Sequence, residues 1–231
     1  MLMQTRQYRL EMRARRGRES RDPSAHTGTN DTLGRALDLT VAVALLLILL
    51  PILSLVALAI VLLDRGPVVF AHRRVGRHGR YFNCYKFRSM RVNSAQLLRE
   101  LLETDPVALA EWTRDQKLRR DPRITKLGSF LRATSIDELP QLFNVLRGEM
   151  SIVGPRPIVE DEVTRYRRFF SDYAAVKPGI TGLWQVSGRN NTTYRRRVAL
   201  DVAYAKHKSV SFDLLILAKT VPAVLFARGS F

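Results

Sequence analysis

Cysteine, histidine and acidic side chains are all scarce in this 231-residue chain. Cys84 stands alone, so no internal disulfide can form, and a reducing, cytoplasm-facing setting is expected. His26, His72, His78 and His207 are scattered, which leaves no Cys/His framework for zinc. Lys and Arg outnumber Asp and Glu by 38 to 21, a formal charge of +17. Such a balance suits anionic lipid headgroups, nucleotide phosphates or nucleic acid, and alone does not choose among them. No RNA- or DNA-reading motif accompanies it, so no nucleic-acid partner is expected. What is plentiful is apolar: 46% of the residues are hydrophobic, enough for one core of ordinary domain size and for membrane contacts as well.

In chain order, residues 1–32 read as a disordered basic tail, rich in arginine and without an apolar period. Residues 33–64 read as a membrane-embedded helix, because Leu39 to Leu63 is uncharged throughout and long enough to span a bilayer core of ~30 Å. Pro51 near its middle removes a backbone hydrogen bond and favours a kink, with Ser54 able to help satisfy the freed groups. Both flanks are basic, with Arg35 before and Arg65, Arg73, Arg74, Arg77 and Arg80 after, which places both ends on the cytoplasmic side. A kinked re-entrant helix and a plain spanning helix both stay open on these grounds.

Residues 65–231 form the remaining, cytoplasmic domain. Val68 to Arg88 predicts a hairpin turning at Gly76–Gly79, with Tyr81, Phe82, Tyr85 and Phe87 on the return strand. Arg73, Arg74 and Arg77 read as a solvated or lipid-facing surface, as do the arginines of Tyr194 to Arg197. Leu97 to Trp112 is helical with a break at Asp105-Pro106. Glu160, Asp161 and Glu162 read as the acidic first turn of a helix rather than a metal site. Lys177 to Asn190 is punctuated by glycines, which let backbone approach a ligand closely, so Trp184, Gln185 and Arg189 are nucleotide-contact candidates; an ordinary structural loop is the alternative. Ser211 to Phe226 is apolar but broken by Asp213, Lys219 and Pro222, the pattern of an interfacial helix or helix pair lying on a membrane. The fold class is α+β, mainly helical with a small β-hairpin.

The segment Ser135 to Pro157 carries the clearest chemistry. Leu139, Leu142, Phe143 and Leu146 mark one helical face, with Ser135 and Glu138 spaced as a capping box and Gly148 as the stop. Asp137 and Glu138 then lie side by side at a helix start. Arg156 is locked between Pro155 and Pro157, a rigidity that suits a guanidinium gripping phosphate oxygens. Arg132, five residues before Asp137, adds a second cation.

The run from Asp121 to Pro157, with Lys86 to Met90 upstream and Lys177 to Asn190 downstream, resembles the bacterial sugar transferases, the monotopic polyprenyl-phosphate sugar-1-phosphate transferases. The resemblance covers nearly everything from Leu33 onward. It implies a re-entrant helix in one leaflet of the bacterial inner membrane, with the catalytic domain on the cytoplasmic face. It also implies transfer of a sugar phosphate from a UDP-sugar to undecaprenyl phosphate, releasing UMP, in exopolysaccharide or glycoconjugate synthesis. Galactose or glucose is favoured, though the residues select no sugar. Asp137 would be the nucleophile, Glu138 a ligand for Mg²⁺, and Arg132 and Arg156 phosphate-binding cations. Lys86 and Arg88 become further phosphate-site candidates, with a solvated surface as the alternative. The implied partners are the UDP-sugar, undecaprenyl phosphate and membrane lipids, and a homo-oligomer stays open. An inactive membrane-anchored scaffold and a basic nucleic-acid binder are the competing readings; retention of Asp137, Glu138 and Arg156 opposes the first.

Overall fold

A computed structural model describes residues 28–115, 118, 120–188 and 193–225. Its first element is a single long helix, α1 (Gly28–Asp64), which continues through Pro51. The helix starts inside the stretch expected to be tail, with Asp31 in its first turn offsetting the helix dipole; the tail residues before Gly28 lie outside the described residues. Only 11% of its most apolar stretch is buried, and Leu47, Ile48, Leu50, Leu55, Leu62 and Leu63 are exposed. Such a surface needs a non-aqueous cover.

Both halves of α1 nevertheless touch the same globular body. Near its start, Ala42 is buried with Phe82, Cys84, Leu142 and Ile152. Near its end, Val56 and Ile60 are buried with Phe87 and Leu131. Polar contacts fix each half. Arg35 donates to the carbonyls of Val145 at 2.6 Å and Leu146 at 2.9 Å, and Asp38 accepts from the Ser151 hydroxyl at 2.7 Å. At the far end Asp64 accepts from the Thr125 hydroxyl at 2.9 Å.

The hairpin forms as its sequence predicts, from β1 (Val69–Val75) and β2 (Tyr81–Phe87), antiparallel, with Arg74 opposite Phe82 and Phe70 opposite Lys86. Then follow α2 (Ser94–Thr104) and α3 (Pro106–Asp115), split at Asp105 as expected, and α4 (Lys126–Ala133). A short 3₁₀ turn (Ile136–Glu138) precedes α5 (Gln141–Leu146).

The capping-box expectation fails here. Ser135 adopts a left-handed conformation with φ of 59° and makes no side-chain cap, and α5 starts only after Pro140, whose ring disfavours a helical hydrogen bond at that point. Phe143 is correspondingly exposed, while Gly148 ends the helix with φ of 78° as expected.

Beyond it, β3 (Ser151–Val153) pairs in parallel with β4 (Gly179–Thr181), a second small sheet that the sequence did not reveal. The pairing is tight. A Cβ on Gly179 would lie 2.0 Å from the Gly154 nitrogen, so glycine is required where the two loops meet. Between these strands come α6 (Glu160–Tyr166) and α7 (Phe170–Ala175), and after them α8 (Leu183–Val186), α9 (Tyr194–His207) and α10 (Val210–Leu225). Tyr166, Phe170, Tyr173, Val198 and Val202 form a core between α6, α7 and α9. Leu214, Leu215 and Val221 leave one side of α10 apolar and exposed.

Candidate active site

The 3₁₀ turn projects Asp137 inward, at 8% exposure, and leaves Glu138 half-buried beside it. Ser135, two residues ahead, holds the turn in a strained backbone region that costs on the order of 1–3 kcal/mol for a residue with a side chain. Strain of that size is concentrated where it positions a functional group.

Cations surround the two carboxyls. Lys86 follows the side-chain parity of Phe82 and Cys84 on β2, which turns it inward, and its ammonium meets the Glu138 carboxylate at 2.5 Å. Arg132 reaches from α4 and donates from Nε to the Ser89 hydroxyl at 2.8 Å. That reach depends on a close approach, because a Cβ on Gly128 would lie 1.9 Å from the Ser89 carbonyl oxygen.

The electrostatics of the neighbours diverge. Burial pushes the Asp137 carboxyl up to about 6; the Glu138 charge adds to this, while Lys86 and Arg132 oppose it. At Glu138 burial also pushes upward, but Lys86, Arg156 and Arg74 outweigh it and leave the carboxyl below its ordinary value. Two adjacent acids are thus held at different affinities for a proton, the usual arrangement where carboxylates take different roles. Burial drives the Cys84 thiol up to about 11, which makes it an inert core group.

Arg156 extends from the Pro155–Pro157 clamp over the Trp184 ring, 5.8 Å from its centroid. Arg197 of α9 also approaches that ring, at 5.5 Å, and pairs with Glu162 at 2.9 Å. Arg74 donates to the Pro157 carbonyl at 3.3 Å and lies 3.9 Å from the Glu162 carboxylate. Arg74 and Arg197 are therefore not the solvated or lipid-facing residues expected, whereas Arg73, Arg195 and Arg196 are exposed. Arg74 turns inward because it stands opposite buried Phe82 in the hairpin register. Glu162 does sit in the first turn of α6 as expected, but it also joins Arg74 to Arg197. The hairpin alternation could have revealed Arg74; no local signal marks Glu162 or Arg197, whose partners are distant in sequence.

Some polar atoms are buried without partners. Arg88 is 6% exposed, and none of its three guanidinium nitrogens has a hydrogen bond among the described residues. It lies against Gly66, where a Cβ would come within 2.2 Å of its guanidinium, just past the end of α1. Trp184 Nε1 and Gln185 Oε1 are likewise buried and unpartnered. Unsatisfied buried groups are uncommon and expensive, and a ligand is one way to satisfy them. Arg189 lies outside the described residues.

No group of three or more His, Cys, Asp or Glu side chains is gathered to hold a metal among the described residues. The adjacent Asp137 and Glu138 do suit an ion that takes one or two carboxylates and completes its shell with water and phosphate.

A buried carboxyl with a raised proton affinity, set among the cations Lys86 and Arg132, is the candidate centre of the site. The chain belongs to the bacterial sugar transferase family, whose model matches residues 29–227. It is 53% identical over 199 residues to an uncharacterized sugar transferase of Haemophilus influenzae and 51% identical to the undecaprenyl-phosphate galactose phosphotransferase of Salmonella typhimurium. Each match covers 86% of this chain, which spans about two fifths of those relatives (42% of each). The exopolysaccharide production protein ExoY of Sinorhizobium fredii is 47% identical over 197 residues, covering 85% of this chain and 87% of that protein.

Proposed function

We propose that this chain transfers a sugar phosphate from a UDP-sugar to undecaprenyl phosphate, as the first step of exopolysaccharide or glycoconjugate synthesis. The observation that carries the reading is the Asp137 carboxyl, buried and raised to about 6 among Lys86, Arg132 and Glu138. The name of the Salmonella relative supports undecaprenyl phosphate as acceptor, with galactose or glucose as the sugar.

In the first step an Asp137 oxygen attacks the phosphorus bearing the sugar. The bond from that phosphorus to the bridging oxygen breaks, and UMP leaves with the bond's electron pair. In the second step an oxygen of the lipid phosphate attacks the same phosphorus, releases the Asp137 carboxylate and yields undecaprenyl-diphosphate-sugar. Lys86 and Arg132 stabilise the ionised nucleophile, and Arg156 neutralises charge developing on the donor phosphates. Trp184 and Gln185 offer buried polar atoms to the nucleotide. Arg88, unpartnered and next to the end of α1, is suited to the lipid phosphate. A Mg²⁺ ion held by Glu138 would supply further neutralisation of diphosphate charge.

The membrane reading that fits this chemistry is re-entry of α1 with the catalytic domain on the cytoplasmic face of the inner membrane. Supporting it, residues near Ala42 and near Ile60 pack on the same globular body, as flanks on one side would. Cysteine-accessibility mapping should label both flanks from the same side; labelling from opposite sides contradicts re-entry. The reaction is tested by UMP release from the detergent-purified protein with undecaprenyl phosphate, Mg²⁺ and a panel of UDP-sugars. Lipid-dependent release from one donor is expected; release from none contradicts the assignment and favours an inactive scaffold.

A further inference from the structure

A cavity of about 350 Å³ is lined by none of the residues given a role in the proposed reaction. Its walls come from the first turns of α1, the hairpin turn, β3, the loop before β4 and the junction of α9 with α10. Four cations line it: Arg35, Arg77, Lys177 and Lys208.

The acids among these walls already have partners, two of them within the cavity lining itself. Asp38 accepts from the Ser151 hydroxyl and from the Ile152 amide at 2.8 Å, Asp213 accepts from the Tyr204 hydroxyl at 2.7 Å, and Asp31 pairs with Arg77 at 3.2 Å. Arg35 is committed to the carbonyls that end α5. Lys177 and Lys208 remain: neither makes a hydrogen bond or ion pair among the described residues. Burial, then Arg35, hold the Lys177 ammonium below its ordinary affinity for a proton, opposed by Asp38 and aided to a smaller extent by Arg77 and Lys208. A bound anion would reverse that direction.

The position of the cavity selects the source of the anion. α1 becomes uncharged from Leu39 onward, directly beyond the lining residues Asp31 to Asp38, and its apolar side chains are exposed. α10 likewise turns exposed apolar side chains outward at Leu214 and Leu215, directly after lining residue Asp213. Two membrane-seeking helices thus start at one rim, which puts the cavity at headgroup depth.

We infer that this cavity binds the phosphodiester headgroup of an anionic membrane phospholipid, with Lys177 and Lys208 as its cationic ligands. The site is separate from the transfer reaction and stands or falls independently of it.

The test is titration of the full-length protein in neutral detergent with dihexanoyl-phosphatidylglycerol, dihexanoyl-phosphatidylcholine or inorganic phosphate, read by native mass spectrometry. One saturable phosphatidylglycerol adduct is expected. It should weaken about tenfold or more in Lys177→Gln/Lys208→Gln, since two charge-assisted hydrogen bonds are lost. Lys177→Arg/Lys208→Arg should restore it, and Arg195→Gln/Arg196→Gln, altering exposed charges elsewhere, should leave it unchanged. UMP release in detergent should be the same in all of them. Absence of the adduct, equal binding by the glutamine variant, or equal occupancy by phosphatidylcholine overturns the proposal. Inorganic phosphate displacing the adduct at matching concentration overturns the lipid assignment in favour of a free-phosphate site.

Discussion

Two buried aspartates, Asp137 in the 3₁₀ turn and Asp201 in α9, share an elevated affinity for protons and differ in almost everything else. Burial raises Asp137 to about 6 and Asp201 to about 7. Asp201 accepts a 2.6 Å hydrogen bond from Tyr166, inside a core of aromatic rings. Asp137 has no side-chain donor among the described residues and sits in a strained turn between Lys86 and Arg132. A raised pKa therefore does not by itself mark a reactive group. A carboxylate that faces cations without a side-chain donor does, while one hydrogen-bonded to a core tyrosine is part of the core.

The largest expected effect separates the two sites by activity. Asp137→Asn should lower sugar-phosphate transfer by on the order of a thousandfold or more, since no nucleophile remains. Asp201→Ala should leave transfer per folded molecule nearly unchanged. Equal loss from both would erase the distinction.

Stability should show the reverse order. Asp201→Ala strands the Tyr166 hydroxyl in the core and should cost about 2 kcal/mol in denaturant unfolding. For Asp137 the folded pKa exceeds the unfolded one. Its contribution is therefore most favourable at low pH, and it is lost as pH rises from the unfolded value through about 6. Removing the charge with Asp137→Asn should thus stabilise the protein by about 2 kcal/mol at mildly alkaline pH, with no gain in acid.

A smaller effect concerns pH. Transfer should rise as pH passes through about 6, as Asp137 ionises. Lys86→Met removes a cation that favours ionisation, so the same limb should move to higher pH. An unmoved limb would mean that another group sets it. Smallest of all, Glu162→Gln should raise the donor KM severalfold with little change in kcat, by loosening Arg197 at the Trp184 ring and Arg74 at the Pro157 carbonyl.

Much of this arrangement is written locally in the chain. The hairpin follows from alternation around Gly76–Gly79, the helix break from Pro106, and the Asp137-Glu138 pair from its place ahead of an apolar helical face. The left-handed Ser135 was hidden because S-x-x-E spacing serves a capping box equally well, and the choice was made by packing rather than by the motif. β3 and β4 are three residues each, too short for any period to register. Glu162 meets partners 35 and 88 positions away in Arg197 and Arg74, a pairing that only the assembled fold creates.

The central claim is that Asp137 takes up the phosphosugar. Its most direct test is intact-mass measurement of the protein mixed with UDP-galactose and Mg²⁺, with the lipid acceptor withheld. The account predicts a sugar-phosphate mass increment matched by UMP release, absent from Asp137→Asn and discharged when undecaprenyl phosphate is added. An unmodified mass in a preparation that still transfers sugar phosphate on addition of lipid, or an increment that survives in Asp137→Asn, would contradict it.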